Sequence, residues 1–364
     1  VDSKRIILAG GGTGGHIFPA IAIANALKKL RGNTEILFIG ALGKMEMEKV
    51  PQAGYRIEGI DIAGFNRSSL IKNIGLPYKL AKSFWQVRNI IRSFRPDAVI
   101  GVGGYSSFPV LRYAQSIGIP SFFHESNAFA GKANRMLGKK ATRIFTAVEG
   151  MEKFFPADKI LVTGNPVRAS IVNSRVSREE GLRFFGLSPD LKTVLSTGGS
   201  LGAKSINEAV EAGLNEFEKN NLQLIWQTGK PFEAKAQEAV KGRSNVWTKD
   251  FISGMEYAFA AADIVISRSG AMSLAELCVV KKPAVLVPYP FAAEDHQTVN
   301  ARFLVDRDAA LIVSDSQAGK SLISELMGLA RDSTKQKVLS ENISRLAVPD
   351  ADQRIASEIF QTIG

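Results

Sequence analysis

The chain has 364 residues, 45% of them hydrophobic and 22% charged. That composition excludes a wholly disordered chain, and at roughly 100–200 residues per domain the length predicts two domains. Forty-six Lys and Arg against 35 Asp and Glu leave a net charge of +11, which favours an anionic partner: a phosphorylated substrate, a phospholipid surface or nucleic acid.

Residues Val1 to Arg5 lead straight into a strand and do not read as a signal peptide. A single cysteine, Cys278, excludes a disulfide framework and points to a reducing compartment. Three histidines show no zinc spacing. No apolar run approaches the roughly 20 residues that span a bilayer.

Arg5–Ala9 is a buried-strand pattern, followed by glycines and by helical spacing from Ile17 to Leu30. Strand patterns recur at Glu35–Ile39, Ala98–Val102, Ser121–His124 and Arg143–Thr146. Gly164-Asn165-Pro166 breaks the rhythm. It then restarts at Lys192–Ser196, Leu222–Trp226, Ile264–Ile266 and Ala284–Val287. Strands alternating with helices predict parallel sheets covered on both faces. The expected fold is therefore α/β, with two Rossmann-like domains facing a central cleft. They span residues 1–164 and 165–344, and a C-terminal helix at 345–364 can pack back on the first.

Ligands of such sheets sit at the carboxyl ends of the strands, where the glycines lie. Gly10, Gly12 and Gly15 fit G-x-G-x-x-G, and free N–H groups at the following helix start favour a phosphate. A dinucleotide also wants an acidic residue at the end of the second strand. That strand ends Phe38-Ile39-Gly40-Ala41, so a nicotinamide cofactor is disfavoured. Thr197–Ala203 repeats the loop, with Ser200 able to donate to a phosphate, but has no Walker A lysine. Gly103-Gly104-Tyr105 is a third such turn. His16, at the mouth of the first loop, can act as a base or contact a diphosphate. His124-Glu125-Ser126-Asn127 ends a strand and makes Glu125 a second candidate base, or a helix-capping carboxylate. Glu276 is placed to accept from two sugar hydroxyls. Glu294–Gln297 and Asn300 also combine carboxylates with carboxamides, which suit hydroxyls that donate and accept.

Taken in order, these motifs resemble one family, the MurG-type peptidoglycan N-acetylglucosaminyltransferases. The resemblance rests on Gly10–His16 with Phe18-Pro19-Ala20, Gly103-Gly104-Tyr105, His124-Glu125-x-Asn127 and Thr163–Arg168. Gly198-Gly199-Ser200-x-Gly202-Ala203, Ser267–Glu276 and His296-Gln297-x-x-Asn300-Ala301 complete it. It implies a GT-B fold and an inverting transfer of GlcNAc from UDP-GlcNAc to the 4-hydroxyl of lipid I, the lipid-linked muramyl-pentapeptide. By the same resemblance Ser200 meets the diphosphate, Ile252 offers backbone to uracil, and Arg168 helps hold the nucleotide. Glu276 takes the ribose, within a loop and helix that include Ala271 and Met272. Gln297 and Asn127 meet the GlcNAc, and Thr13, Gly14 and Gly15 approach the donor from the first domain. Attack by the hydroxyl needs a base: His16 first, Glu125 second. No catalytic metal and no cofactor are expected. Asp306-Arg307-Asp308 and Asp350-Ala351-Asp352 match an Asp-x-Asp metal motif by letter only, and the latter reads as a helix N-cap.

From Ile62 to Pro96 there is no acidic residue, but seven Lys or Arg. Leu80, Phe84, Val87, Ile91 and Phe94 share helical spacing and read as core. Leu70, Ile71, Lys72, Ile74, Leu76, Lys79 and Lys82 read as an apolar and basic patch interrupted by Pro77. Such a patch suits anionic lipid, at roughly 1 kcal/mol per well-placed cation. The expected location is the cytoplasmic face of the cell membrane, held peripherally. Nucleic acid is disfavoured, since no recognised nucleic-acid motif accompanies the charge.

Overall fold

The computed structural model describes residues 3–64, 75–199 and 201–364. Its contacts divide the chain into two compact units, Val1–Arg168 with Asp350–Gly364, and Ala169–Pro349.

In the first unit the described residues form a parallel sheet of seven strands: β1 (Arg5–Ala9), β2 (Glu35–Ala41), β3 (Arg56–Ile60), β4 (Ala98–Gly101), β5 (Ser121–Glu125), β6 (Arg143–Thr146) and β7 (Ile160–Val162). Their order is β3-β2-β1-β4-β5-β6-β7. Strands buried on both faces read as continuous apolar runs, and here the period of two sorts each run between two cores. Ile6, Leu8, Ile36 and Phe38 pack under helix α1 (Gly14–Leu30). Ile7, Ala9, Leu37 and Ile39 face the other way, into a core that holds Val87 and Ile91 of α3 (Leu76–Phe94), while α2 (Glu46–Gln52) lies on the α1 side and buries Val50 there. The last helix, Ala351–Ile363, returns to α1 through Ile355, Ala356, Ile359 and Phe360. Arg31 lies 4.4 Å from the Phe360 ring centroid and donates to the Gly364 carbonyl.

The second unit carries β8 (Lys192–Thr197), β9 (Leu222–Gln227), β10 (Val246–Lys249), β11 (Ile264–Ser267), β12 (Ala284–Leu286) and β13 (Leu311–Ile312), in the order β10-β9-β8-β11-β12-β13. Each sheet reverses direction of growth once, between β1 and β4 and between β8 and β11. A parallel sheet opens a crevice at that reversal, beyond the strands' carboxyl ends. All three glycine loops leave from these four strands.

Several expectations change in detail. Pro77 does not interrupt the basic segment: α3 begins at Leu76, and Pro77 occupies its first turn, where a missing N–H is tolerated. Of the expected core positions on α3, Val87 and Ile91 are buried, while Leu80, Phe84 and Phe94 are half-buried. Asp350 stands at the N-cap of the last helix, but its carboxylate pairs with Arg354 at 2.9 Å instead of capping.

Candidate active site

In the first unit, two glycine loops meet backbone to backbone. Gly11 N–H donates to the Gly103 carbonyl at 3.3 Å, and Ser107 Oγ ties the Ala9 and Gly103 carbonyls together. Gly104 has φ +85°, and a Cβ there would stand 2.3 Å from the Gly11 carbonyl oxygen. Only glycine fits both the angle and the approach.

His16, in the first turn of α1, is held by this junction. Its Nδ1 lies 3.1 Å from the Gly11 carbonyl oxygen and 3.5 Å from Thr13 Oγ1. A carbonyl only accepts, so Nδ1 carries the proton and Nε2 keeps its lone pair. The ring lies against Gly103, where a Cβ would fall 2.8 Å from Nε2.

Glu46 is the residue sequence reasoning missed. It is 1% exposed, and its carboxylate accepts from Gly12 N–H at 2.8 Å and Ala41 N–H at 3.0 Å. It fills the space behind Gly11, where a Cβ would collide with it. It thereby takes one donor of the loop, ahead of the helix start at Gly14, and the Gly12 N–H is satisfied from within the unit. Its only sequence signal was an acid shortly after β2, in place of one at the strand's end.

Glu125, at the end of β5, is 4% exposed. Its Oε1 accepts from the backbone and side-chain N–H groups of Asn127, and its Oε2 from Asn134 Nδ2 at 2.7 Å. It clamps the loop that carries Asn127. Arg168, which ends the first stretch of this unit, lies 5.1 Å over the Phe18 ring of α1.

His124 donates from Nε2 to the Gly164 carbonyl at 3.0 Å, and its buried Nδ1 has no hydrogen-bond partner among the described residues. Burial lowers its pKa to about 4, against the Gly164 bond that raises it, and the nearby His16 lowers it further. Above pH 6.5 both folded and unfolded chains hold this histidine neutral. As pH falls from 6.5 toward 4, only the unfolded chain takes up the proton, so stability is lost in that window by up to about 3 kcal/mol. Unfolding midpoints measured across this range should show the loss, and His124→Gln should flatten the curve by about one proton. An unchanged slope would remove His124 as its source.

In the second unit, the Thr197–Ala203 loop closes on the end of β9. A Cβ on Gly202 would lie 2.0 Å from the Thr228 carbonyl oxygen, and one on Gly198 would lie 2.3 Å from Ala203 N. The helix Lys204–Ala212 begins directly after the loop with no side-chain cap, so its amide end opens onto it. Ser200 lies outside the described residues, as do Leu70, Ile71, Lys72 and Ile74. Ile252 is buried, and its N–H donates to Gln227 Oε1 at 3.1 Å.

Past β11, Gly270 precedes the helix Ala271–Val280. Met272 and Glu276 stand four residues apart and share one face, and Glu276 is half-buried. Gln297 stitches the neighbouring loops: its Oε1 accepts from Tyr289 N–H and its carbonyl from Ser269 Oγ. Glu294 and Asp295, just before it, both hold left-handed backbone at φ 55° and 52°, a strain often kept where a site needs it. Arg268 underpins the group. It donates to the Val287 and Pro288 carbonyls, to Asp315 at 2.6 Å and to Ser205 Oγ. Cys278 is buried with its thiol pushed up to about 12, which does not suit a nucleophile. Asp306 and Asp308 follow the helix His296–Val305, and Asp350 and Asp352 lie at the start of the last helix, so neither pair ends a strand.

The glycosyltransferase family 28 N-terminal domain matches residues 6–146, and the family's C-terminal domain matches residues 193–355. A UDP-N-acetylglucosamine–N-acetylmuramyl-(pentapeptide) pyrophosphoryl-undecaprenol N-acetylglucosamine transferase of Bacteroides fragilis is 50% identical over 364 residues, covering 99% of this chain and 96% of its own. The chain belongs to glycosyltransferase family 28, among these N-acetylglucosamine transferases. A MurG crystal structure from Acinetobacter baumannii has a TM-score of 0.79 at 29% identity, over 98% of this chain and 99% of that one. The two α/β units with parallel sheets are thus the GT-B-like fold of this family. A UDP-GlcNAc 2-epimerase from Neisseria meningitidis reaches 0.70 at 14% identity, covering 98% of this chain and 100% of that one, a likeness of fold alone.

Proposed function

We infer that this chain carries out the reaction its family-28 relatives are named for. It transfers GlcNAc from UDP-GlcNAc to undecaprenyl-pyrophosphoryl-MurNAc-pentapeptide, forming lipid II for peptidoglycan. The observation that carries this reading is the 50% identity over 99% of the chain.

The second unit takes the UDP-sugar. The uncapped start of the helix Lys204–Ala212, with Ser200, supports the diphosphate. Ile252 meets uracil, Glu276 the ribose beside Ala271 and Met272, and Gln297 the sugar. The first unit supplies the base. His16 Nε2 takes the proton from the acceptor's 4-hydroxyl as that oxygen bonds to the anomeric carbon, and UDP departs from the opposite side with the bonding pair. One displacement inverts the anomeric centre. Glu125 acts through Asn127, because its oxygens already hold that loop together. Thr13, Gly14 and Gly15 approach the donor, and Arg168 adds a cation for the leaving diphosphate. No metal is invoked, since dipoles and Arg168 serve the departing charge.

Transfer of labelled GlcNAc to a short-chain lipid I analogue, with EDTA present, tests the reaction. A β-1,4-linked product is expected. Product only with added magnesium discards the metal-free route, and UDP-ManNAc formation without transfer discards the reaction.

The acceptor is lipid-linked, and among the described residues no helix is long and apolar enough to cross a membrane. We place the enzyme peripherally on the cytoplasmic face of the cell membrane through α3 and the segment before it. Tyr78, Lys82, Trp85, Asn89 and Arg92 share an exposed stripe of α3, with Tyr78 and Trp85 72% and 63% exposed. Lys82 and Lys79 pair with Asp61 at 2.9 and 3.6 Å, so they contribute less free charge than their number implies. Arg92→Gln should weaken binding to anionic vesicles about fivefold, the equivalent of about 1 kcal/mol, while transfer to a soluble acceptor stays unchanged. Equal binding to anionic and neutral vesicles would discard this face.

A further inference from the structure

Gln227 ends β9 and is 2% exposed. Its Nε2 donates to the Gly199 carbonyl at 3.0 Å and to Thr197 Oγ1 at 3.4 Å, and its Oε1 accepts the Ile252 N–H at 3.1 Å. The orientation is forced: a reversed amide would oppose oxygen to the Gly199 carbonyl and NH2 to the Ile252 N–H. One buried side chain therefore joins the end of β8, the diphosphate loop and the segment after β10. No sequence motif singled it out.

We propose that Gln227 is a positioning residue for nucleobase selection, setting the Ile252 carbonyl at a fixed distance from the diphosphate loop so that it accepts from N3–H of uracil. This rests on the reading that Ile252 meets the base. With its N–H committed to Gln227, Ile252 reads the base through its carbonyl, which has two lone pairs. Uracil presents a donor at N3. Cytosine presents a lone pair there, and its donor lies outward, on the exocyclic amine. A carbonyl held in one place separates the two bases. A carbonyl free to shift outward accepts either. Sites that hydrogen-bond one group reject analogues lacking it far more sharply than apolar pockets do.

Calorimetry with UDP, CDP and N3-methyl-UDP tests this on the full chain and on Gln227→Met, which keeps the length but not the hydrogen bonds. The wild-type chain should prefer UDP over both analogues by at least about tenfold. In Gln227→Met the UDP:CDP ratio should fall about tenfold, whereas general loosening of the unit lowers both affinities alike. An unchanged ratio overturns the proposal. Equal wild-type binding of N3-methyl-UDP and UDP overturns it without any variant, so the test survives a Gln227→Met that fails to fold. Photolabelling of the wild type with 5-azido-UDP separates the two readings. Label on the peptide holding Phe251–Ser253 keeps Ile252 at the base, so a failed ratio then counts against Gln227 alone. Label elsewhere removes both.

Discussion

His16→Ala should lower kcat by about 10²–10⁴-fold, the range for losing a positioned general base, and leave the affinity for UDP-GlcNAc nearly unchanged. The geometry gives the reason. The Gly11 carbonyl holds the Nδ1 proton, so the lone pair is confined to Nε2. The ring rests on Gly103, where any side chain would displace it. Gly11 itself stays in place because Glu46 fills the space behind it and bonds Gly12. Glu125→Gln serves as the comparison. It should weaken turnover less, through a loosened Asn127. If Glu125→Gln proves the more damaging and His16→Ala keeps near-normal turnover, the two roles must be exchanged.

Arg268→Ala should destabilise the second unit by about 3 kcal/mol, at the lower end of the range for breaking a buried ion pair from one side. The Arg268 side chain is 12% exposed and that of Asp315 23%, so removing the guanidinium leaves a largely covered carboxylate. It also strips donors from the Val287 and Pro288 carbonyls and from Ser205 Oγ. These segments follow β12 and open the helix after the Thr197–Ala203 loop, so, on the proposed donor site, UDP-GlcNAc affinity should fall with stability. Arg268→Lys restores the charge but not the planar fork and should recover only part of the loss. In a double-mutant cycle, Arg268→Ala with Asp315→Ala should cost less than the sum of the two. Strict additivity, or a loss below about 1 kcal/mol, the level of an exposed pair, would remove the network's role.

Much of this molecule is legible in its residue order. Ile6 to Ala9 and Ile36 to Ile39 are apolar at every position, and only strands covered on both faces need that. Gly10 to Gly15, Gly103-Gly104 and Gly198–Gly202 follow such strands, which marks the crevice side of each sheet. The family motifs lie at the same strand ends for the same reason. The return of the last helix to α1 was foreseeable as a packing option, since its stripe of Ile355, Ile359 and Phe360 had to be covered.

Local rules also misjudged specific residues. Asp350 stands at a helix start yet pairs with Arg354, because an i,i+4 partner competes with the cap for the same carboxylate. Lys79 and Lys82 stand in a segment without acids, yet Asp61, one residue before it, claims both.

The sequence by itself determined where the chain turns, which faces are buried and which chemistry gathers at the strand ends. These depend on period, on glycine's tolerated angles and on residue type, all of which are local. The tertiary structure alone decided which donor meets which acceptor. Glu46 takes Gly12 across 34 residues, and Gln227 takes Ile252 across 25. The proton of His16 sits on Nδ1 because of where one carbonyl lies. A buried polar group must find a partner, but only packing brings a particular one within about 3 Å.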